Sequence, residues 1–449
     1  MSLSSACIGA IERSTRSDLE RVDGGLAPLV RSGEEGELGQ DEPAPQFNGS
    51  LAAYQAYAFE HSPELRASFE AWRAATYRPG KVRRIPELVV SYAGFIRSVE
   101  TRVGPQRHKL GIQQWFPWPT KLSAAGDAEA LAARSAQRQF EAYALQISAE
   151  VSTAFWRLWW IDRRQEIESI EIELLRTLAE LVKVRVEASV ADISDLTRIN
   201  LRVEHAVDSL ASLDREEQIA SVALVRVLGA PAGTATPVDK TSPALGLPVE
   251  DPAMLRQAVA EHPQIEAVGL MSDSFDERAR AQRADRYPSL GLGVDWIITG
   301  PALDPTMADS GKDAVVGMAA IKVPLSLGAY AAGENEAKAR GRMYRAQELA
   351  ARNRAIEELG RVMAILRDAK RRLKLYEGTM IPLAETSYEA VQASYQSGRA
   401  NVDEILVAER EFLDLQLKAL RARADGASAW ALLERVVGRP VRAEPEDKR

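Results

Sequence analysis

The chain repeats itself at one fixed spacing. Ala220, Leu224, Arg226, Val227, Gly229 and Pro231 recur in the same order, 209 positions on, as Ala429, Leu433, Arg435, Val436, Gly438 and Pro440. The same spacing carries Asp192 onto Asn401 and Asp195 onto Glu404, in two stretches that both read as a tight turn between long helices. A tandem duplication restricts the fold to two copies of one unit, so whatever the first half builds the second must build again.

Each copy reads as a short helical part, a β-hairpin and a long helical hairpin. In repeat 1 (47–229), helical spacing over Leu51, Tyr54, Ala58, Leu65, Phe69 and Trp72 is interrupted at Ser62-Pro63 and ends at Pro79-Gly80. Alternation in Leu88, Val90 and Tyr92, then in Leu110, Ile112, Gln114 and Phe116, predicts a β-hairpin over about 86–117. From about 123 a seam at steps of three and four (Ile147, Val151, Ala154, Leu158, Ile161) runs to a turn near 188–192. More than 60 residues at 1.5 Å each predict a rod of about 90 Å, too long for a globular core. A second helix then reaches 229, and prolines 231, 237, 243, 248 and 252 mark a linker over 230–252.

Repeat 2 (253–438) follows the same order. Leu290, Leu292, Val294, Trp296 and Ile298 alternate with Gly291, Gly293 and Asp295 in a hairpin over about 288–325. The long helical hairpin covers about 331–438, with a bend expected at Pro382, which lacks a backbone donor. Ser397 and Gly398 supply the stop of its first helix, Asn401 caps the second, and Asp403 and Glu404 lie in the first turn, where the helix dipole favours negative charge. A polar tail closes the chain over 439–449.

Composition agrees with long helices: 27% of residues are charged and only 6% aromatic. A net charge of -7 argues against nucleic acid as the main partner. No run of about 18 apolar residues codes a membrane-spanning helix, which leaves open a membrane barrel with strands of about 9 to 11 residues. Residues 1–46 are rich in Gly, Glu, Ser and Pro and are expected to form a flexible leader. Its Cys7 is the only cysteine, so no intrachain disulfide or thiolate metal site can form. Leu3-Ser4-Ser5-Ala6-Cys7 looks somewhat like the end of a lipoprotein signal, with Leu3 one place too far out. Cys7 is therefore either an acylated first residue of a mature chain, the leader being the remnant of a secretion signal, or an incidental thiol.

Four strands with one apolar face cannot close a barrel, and lipid does not tolerate open edges, so strands from several chains must be pooled. Two chains supply eight and three supply twelve. The fold class is mainly α with a small β part.

The order of features resembles the TolC-type outer membrane efflux (outer membrane factor) family over roughly 50–440. The resemblance is carried by the duplication, the Tyr395-x-x-Gly398 turn before Val402-x-x-Ile405-Leu406-x-Ala408, the mid-helix Ile381-Pro382, and the Leu-Gly-x-Pro type endings. It implies a homotrimer in the bacterial outer membrane. Its helical hairpins would form an α-barrel tunnel in the periplasm and its strands a 12-stranded transmembrane β-barrel. It also implies a passive exit duct with two partners, a periplasmic membrane fusion (adaptor) protein and an inner membrane pump of RND or similar type. Residues 113–122 further resemble members associated with heavy-metal efflux. Cargo of metal ions or small toxic compounds stands beside type I protein secretion as the alternative duct, and a soluble coiled-coil scaffold is the alternative of another class.

The resemblance places Glu404 on an acidic ring at the periplasmic constriction. The family's second acidic position is Val407 here, and its tip arginine is Ala400, with Arg399 adjacent. Asp403, Arg399, Asp195 and Asp192 complete the candidate gate, and Tyr395, Gly398 and Asn401 the turn. For Glu404 and Asp195 the bland alternative is a helix-start carboxylate favoured by the dipole alone. Leu290, Leu292, Val294 and Trp296 are the candidate lipid-facing strand. Trp115, Trp118 and Trp296 mark either an interfacial girdle or barrel packing, whereas Trp156, Trp159 and Trp160 read as packing between helices. Histidines 61, 108, 205 and 262 lack ligand spacing, with 61 and 262 at matching helix breaks, so no metal is assigned. No phosphate loop, nucleophile elbow or paired acid/base motif is present, and neither an enzyme nor a cofactor is expected.

Overall fold

The computed structural model describes residues 10–25, 44–304, 306 and 308–444. After α1 (Ala10–Asp23) in the leader, the first repeat forms α2 (Leu51–His61), α3 (Pro63–Thr76) and a short α4 (Arg78–Val82) before strands β1 (Val89–Thr101) and β2 (Gly104–Phe116). Helices α5 (Pro119–Glu187) and α6 (Ile193–Leu228) follow. The second repeat forms α7 (Pro252–Ala260), α8 (Pro263–Ala284), β3 (Ser289–Thr299), β4 (Ala314–Lys322), α9 (Leu327–Leu375), α10 (Ile381–Gln396) and α11 (Val402–Val437). Helix α5 is a single helix of 69 residues.

The chain divides into two compact units that cut across the repeats. One takes Met1–Arg21, Phe69–Gln139 and Glu266–Ala350, and the other Val22–Ser68, Phe140–Ile265 and Ala351–Arg449. The physical reason lies in the hairpins. Two strands alone are marginal, so β2 pairs with β3 of the other repeat, and the first unit holds one antiparallel sheet in the order β1-β2-β3-β4. Its helices pack closely through small residues. Ser135 Oγ donates to Ala267 O at 2.7 Å and Ser274 Oγ to Ala128 O at 2.8 Å, while Phe69 meets Trp72 edge-on at 5.8 Å.

The leader expected to be flexible over 1–46 is helical in part: α1 occupies Ala10–Asp23. Few of its residues are apolar, and ion pairs hold it instead. Glu12, 4% exposed, receives Arg83 at 2.7 Å, and Asp18 takes a hydrogen bond from Gln137 at 3.1 Å. Cys7 lies outside the described residues.

In the second unit, Tyr54, Ile147, Val151, Phe155, Leu158, Leu224 and Leu228 form one apolar cluster. Leu255, Val259, Leu359, Val362, Leu366, Leu433 and Val436 form the corresponding one in repeat 2. The linker is pinned to the tail: Val249 N donates to Arg442 O at 3.0 Å and Glu444 N to Leu247 O at 2.8 Å.

Where a bend is expected at Pro382, the helix carries an irregularity one turn earlier. Tyr376–Met380 form a π-helical turn, and Ile381 N–H reaches back five residues to Tyr376 O. The slipped register widens the turn that the proline ring would otherwise crowd.

Candidate functional site

Two places carry chemistry, the turns of the helical hairpins and the outer face of the sheet. The turns begin with matched stops. Ser189 N donates to Val186 O and Val190 N to Arg185 O, and Gly398 N to Tyr395 O and Arg399 N to Ser394 O. This is the Schellman pattern twice, each time with the residue after the cap in left-handed conformation. The next helices start on capping side chains. Asp192 Oδ1 accepts from Ser194 N at 2.8 Å, and Asn401 Oδ1 accepts from Glu404 N at 2.9 Å. Asn401 Nδ2 also donates to Glu404 Oε1 at 3.3 Å. Backbone and serine hydrogen bonds hold the Asp192 carboxyl below its ordinary range.

Two arginines tie one turn to the other. Arg198 of α6 meets Asp403 of α11 at 2.6 Å. Arg185 donates to Tyr395 O and Gln396 O, each at 3.0 Å, so a cation sits on the negative end of α10. The same guanidinium lies 4.5 Å over the Tyr395 ring. Beneath, Val182, Ile199, Tyr395, Val402 and Ile405 are buried together, each contributing about 1.5–3 kcal/mol of transfer free energy.

The sheet turns an apolar face outward. Leu290, Leu292, Val294 and Trp296 are 44–47% exposed. Register aligns them with Phe116, Gln114, Ile112 and Leu110 on β2 and with Ile321, Ala319, Gly317 and Val315 on β4. The other face holds an ion pair, Lys109 Nζ to the buried Asp295 Oδ2 at 2.5 Å. Gly111 is required beside it, because a Cβ there would stand 2.3 Å from Asp295 Oδ1.

Residues 254–439 match the profile of the outer membrane efflux protein family. Solved structures of such channels share the fold over most of the chain. The channel OprN matches with TM-score 0.71 and 17% identity, covering 92% of this chain and 99% of its own. VceC of Vibrio cholerae matches with 0.71 and 20% identity (87% and 96%), and CmeC of Campylobacter jejuni with 0.72 and 12% (94% and 96%). By fold the chain is similar to these channels, and over residues 254–439 its sequence matches the outer membrane efflux protein family. Among curated proteins, none matches in sequence.

In this chain Glu404 is exposed and held by its capping partner, Arg399 is exposed, Asp195 is half-buried, and Asp403 is paired across the turns. Val407 is 65% exposed. The tryptophans separate. Trp296 lies on the outward face and donates from Nε1 to Asp313 at 2.9 Å, and Trp118 stacks on Tyr287 at 5.1 Å. Trp115 packs against Gly291 on the other face. Trp159 is fully buried among the helices.

His262 is structural. Its Nδ1 accepts from Gln264 N at 3.1 Å and its Nε2 donates to Arg435 O at 2.9 Å. Burial lowers its basicity, so the neutral ring fits that pattern. His61 stacks on Tyr57 at 4.0 Å. Among the described residues, no group of three or more His, Cys, Asp or Glu side chains is arranged to hold a metal. Sequence reasoning missed Arg185, Arg198 and Glu409, which lies buried two turns into α11. The signal was available for Arg185 alone, a cation near a helix end.

Proposed function

We propose that three copies of this chain pool their sheets into one closed 12-stranded barrel, three times the four strands observed, and form the exit duct of a tripartite efflux system. The observation that carries this reading is the sheet itself. A mostly apolar outward face bounded by two edges, β1 and β4, unpaired among the described residues, is stable in lipid only when the edges are closed by sister strands. A soluble scaffold has no use for such a face.

The duct receives cargo from a periplasmic adaptor and an inner membrane pump, and metal ions or small toxic compounds are the cargo class. Glu404 is its gate residue. Three Glu404 carboxylates around one axis attract cations and repel anions at short range. Selection among cargoes belongs to the pump.

The test is reconstitution of the purified full-length protein in planar bilayers. A trimer in detergent, with conductance reduced by multivalent cations and relieved of that block by Glu404→Ala, is the expected result. A monomer without conductance overturns the duct, and unaltered cation block in the variant removes Glu404 from the gate.

A further inference from the structure

Glu409 is 4% exposed, and its Oε1 has no hydrogen-bond partner among the described residues. Its surroundings are short of positive charge. From α5 it is faced by Glu171, itself beside Glu168; from α6 by Arg202; and from α10 by Tyr388; the exposed Arg410, next on its own helix, acts on Glu171. Arg202 is already engaged, with Nη2 3.0 Å from Glu171 Oε1, and its Nε has no partner among the described residues. Two carboxylates therefore share one guanidinium beside the apolar cluster of Ile172, Leu175, Val203 and Ala206.

An excess charge in such a place is costly, and a proton is the simplest remedy. Protons have a route. A cleft of about 410 Å³ is lined by Leu174, Leu178, Tyr388, Tyr395, Ile405 and Glu409, and its rim residues Leu181 and Val184 are exposed. Burial, and then the charge of Glu171, pushes Glu409 up to about 7, and burial raises Glu171 as well.

We propose that Glu409, Glu171 and Arg202 form a proton-operated clasp joining α5, α6 and α11 behind the hairpin turns, tight when the carboxylate pair holds a proton and loosened when it is lost. The proposal rests on reading the turns as a gate, and assigns that gate a response to acid. The sign follows from linkage. A carboxyl raised in the packed state binds more protons there than when exposed, so its stabilising contribution is complete below the ordinary value of 4.5 and is lost as pH rises through about 7. Because the two carboxylates interact, the transition belongs to the pair.

The test is hydrogen–deuterium exchange on the full-length protein in detergent, corrected for intrinsic rates, read in peptides over 168–176, 199–206 and 402–413. In the parent, protection is expected to fall at least tenfold between about pH 5 and about pH 7.5, within the limit of about tenfold per pH unit for one proton. Glu409→Gln carries its hydrogen permanently and is expected to flatten that profile. Glu171→Gln frees Arg202 for Glu409 and is expected to move the transition to lower pH by about one unit, a shift that simple loosening would not produce. A flat parent profile, or variants that keep the parent's profile, overturns the clasp. Exchange reads helix packing without conductance, so a protein that forms no channel yet shows the transition fails as a duct and keeps the clasp. A conducting channel with a flat profile does the reverse.

Discussion

Ser189 and Gly398 stand 209 residues apart and hold the same left-handed backbone, with φ of 59° and 78°. Each follows the last turn of a long helix, and each donates its amide to the carbonyl three residues back. One duplicated stop thus survives with two different residues, of which only glycine adopts the conformation without steric cost.

The pair predicts opposite responses to substitution. A Cβ on Gly398 would meet nothing within 4 Å, so Gly398→Ala tests backbone strain alone and should cost about 1 kcal/mol. Ser189→Gly should be neutral or stabilising by less than about 1 kcal/mol. Thermal unfolding of the two variants beside the parent checks both signs.

The Arg198–Asp403 pair spans the two turns at 2.6 Å, but both side chains are more than half exposed. Its direct contribution to stability is therefore about 0.2–1 kcal/mol. Asp403→Ala should leave the melting temperature nearly unchanged while increasing the frequency of wide-open events in single-channel recordings. Identical recordings for parent and variant would show that the pair does not hold the turns together.

Glu334 gathers Arg283, Arg286 and Lys338, each at 2.7 Å, although it is 4% exposed. Hydrogen bonds from Arg283 and then Lys338 hold its carboxyl down at about 2. The lowered value means that its stabilising effect is present above 4.5, the ordinary range, and is lost as pH falls toward 2. Unfolding curves of the parent and Glu334→Gln should stand apart near neutrality and converge in acid. A constant separation down to about pH 2 would contradict the assignment.

Val294 sits mid-strand on the outward apolar face, 45% exposed. Val294→Arg should cost about 2–4 kcal/mol if that residue meets the hydrocarbon midplane, and should lower the fraction recovered in carbonate-resistant outer membranes. Gln113→Arg, on the opposite face, serves as the control and should insert normally. Equal recovery of the two variants would remove the lipid-facing assignment.

What the sequence made legible follows the range of each interaction. Asp192 and Asn401 were readable as caps because a cap is local, and the alternation of Leu290 to Trp296 was readable because a strand's faces are set by a period of two. Helix α1 was not legible. It has few apolar positions to show a period, and Glu12 and Asp18 find Arg83 and Gln137 only through tertiary contact. Arg198 and Asp403 lie 205 residues apart, and Glu409 looks like any surface glutamate until three helices close around it. The compact units, drawn from both repeats, were hidden for a similar reason: pairing of β2 with β3 joins the two copies, whereas the repeat pattern separates them.

The π-helical turn at Tyr376–Met380 makes the two copies mechanically unequal. In repeat 1 the first long helix, α5, runs unbroken for 69 residues, so a load applied at one end is passed on stiffly. Its counterpart in repeat 2 contains a slipped register and a proline, and so has a compliant joint where strain can be absorbed. Gene doubling therefore furnished two beams of similar design, and a single local loosening divided the labour between a fixed post and a flexing arm.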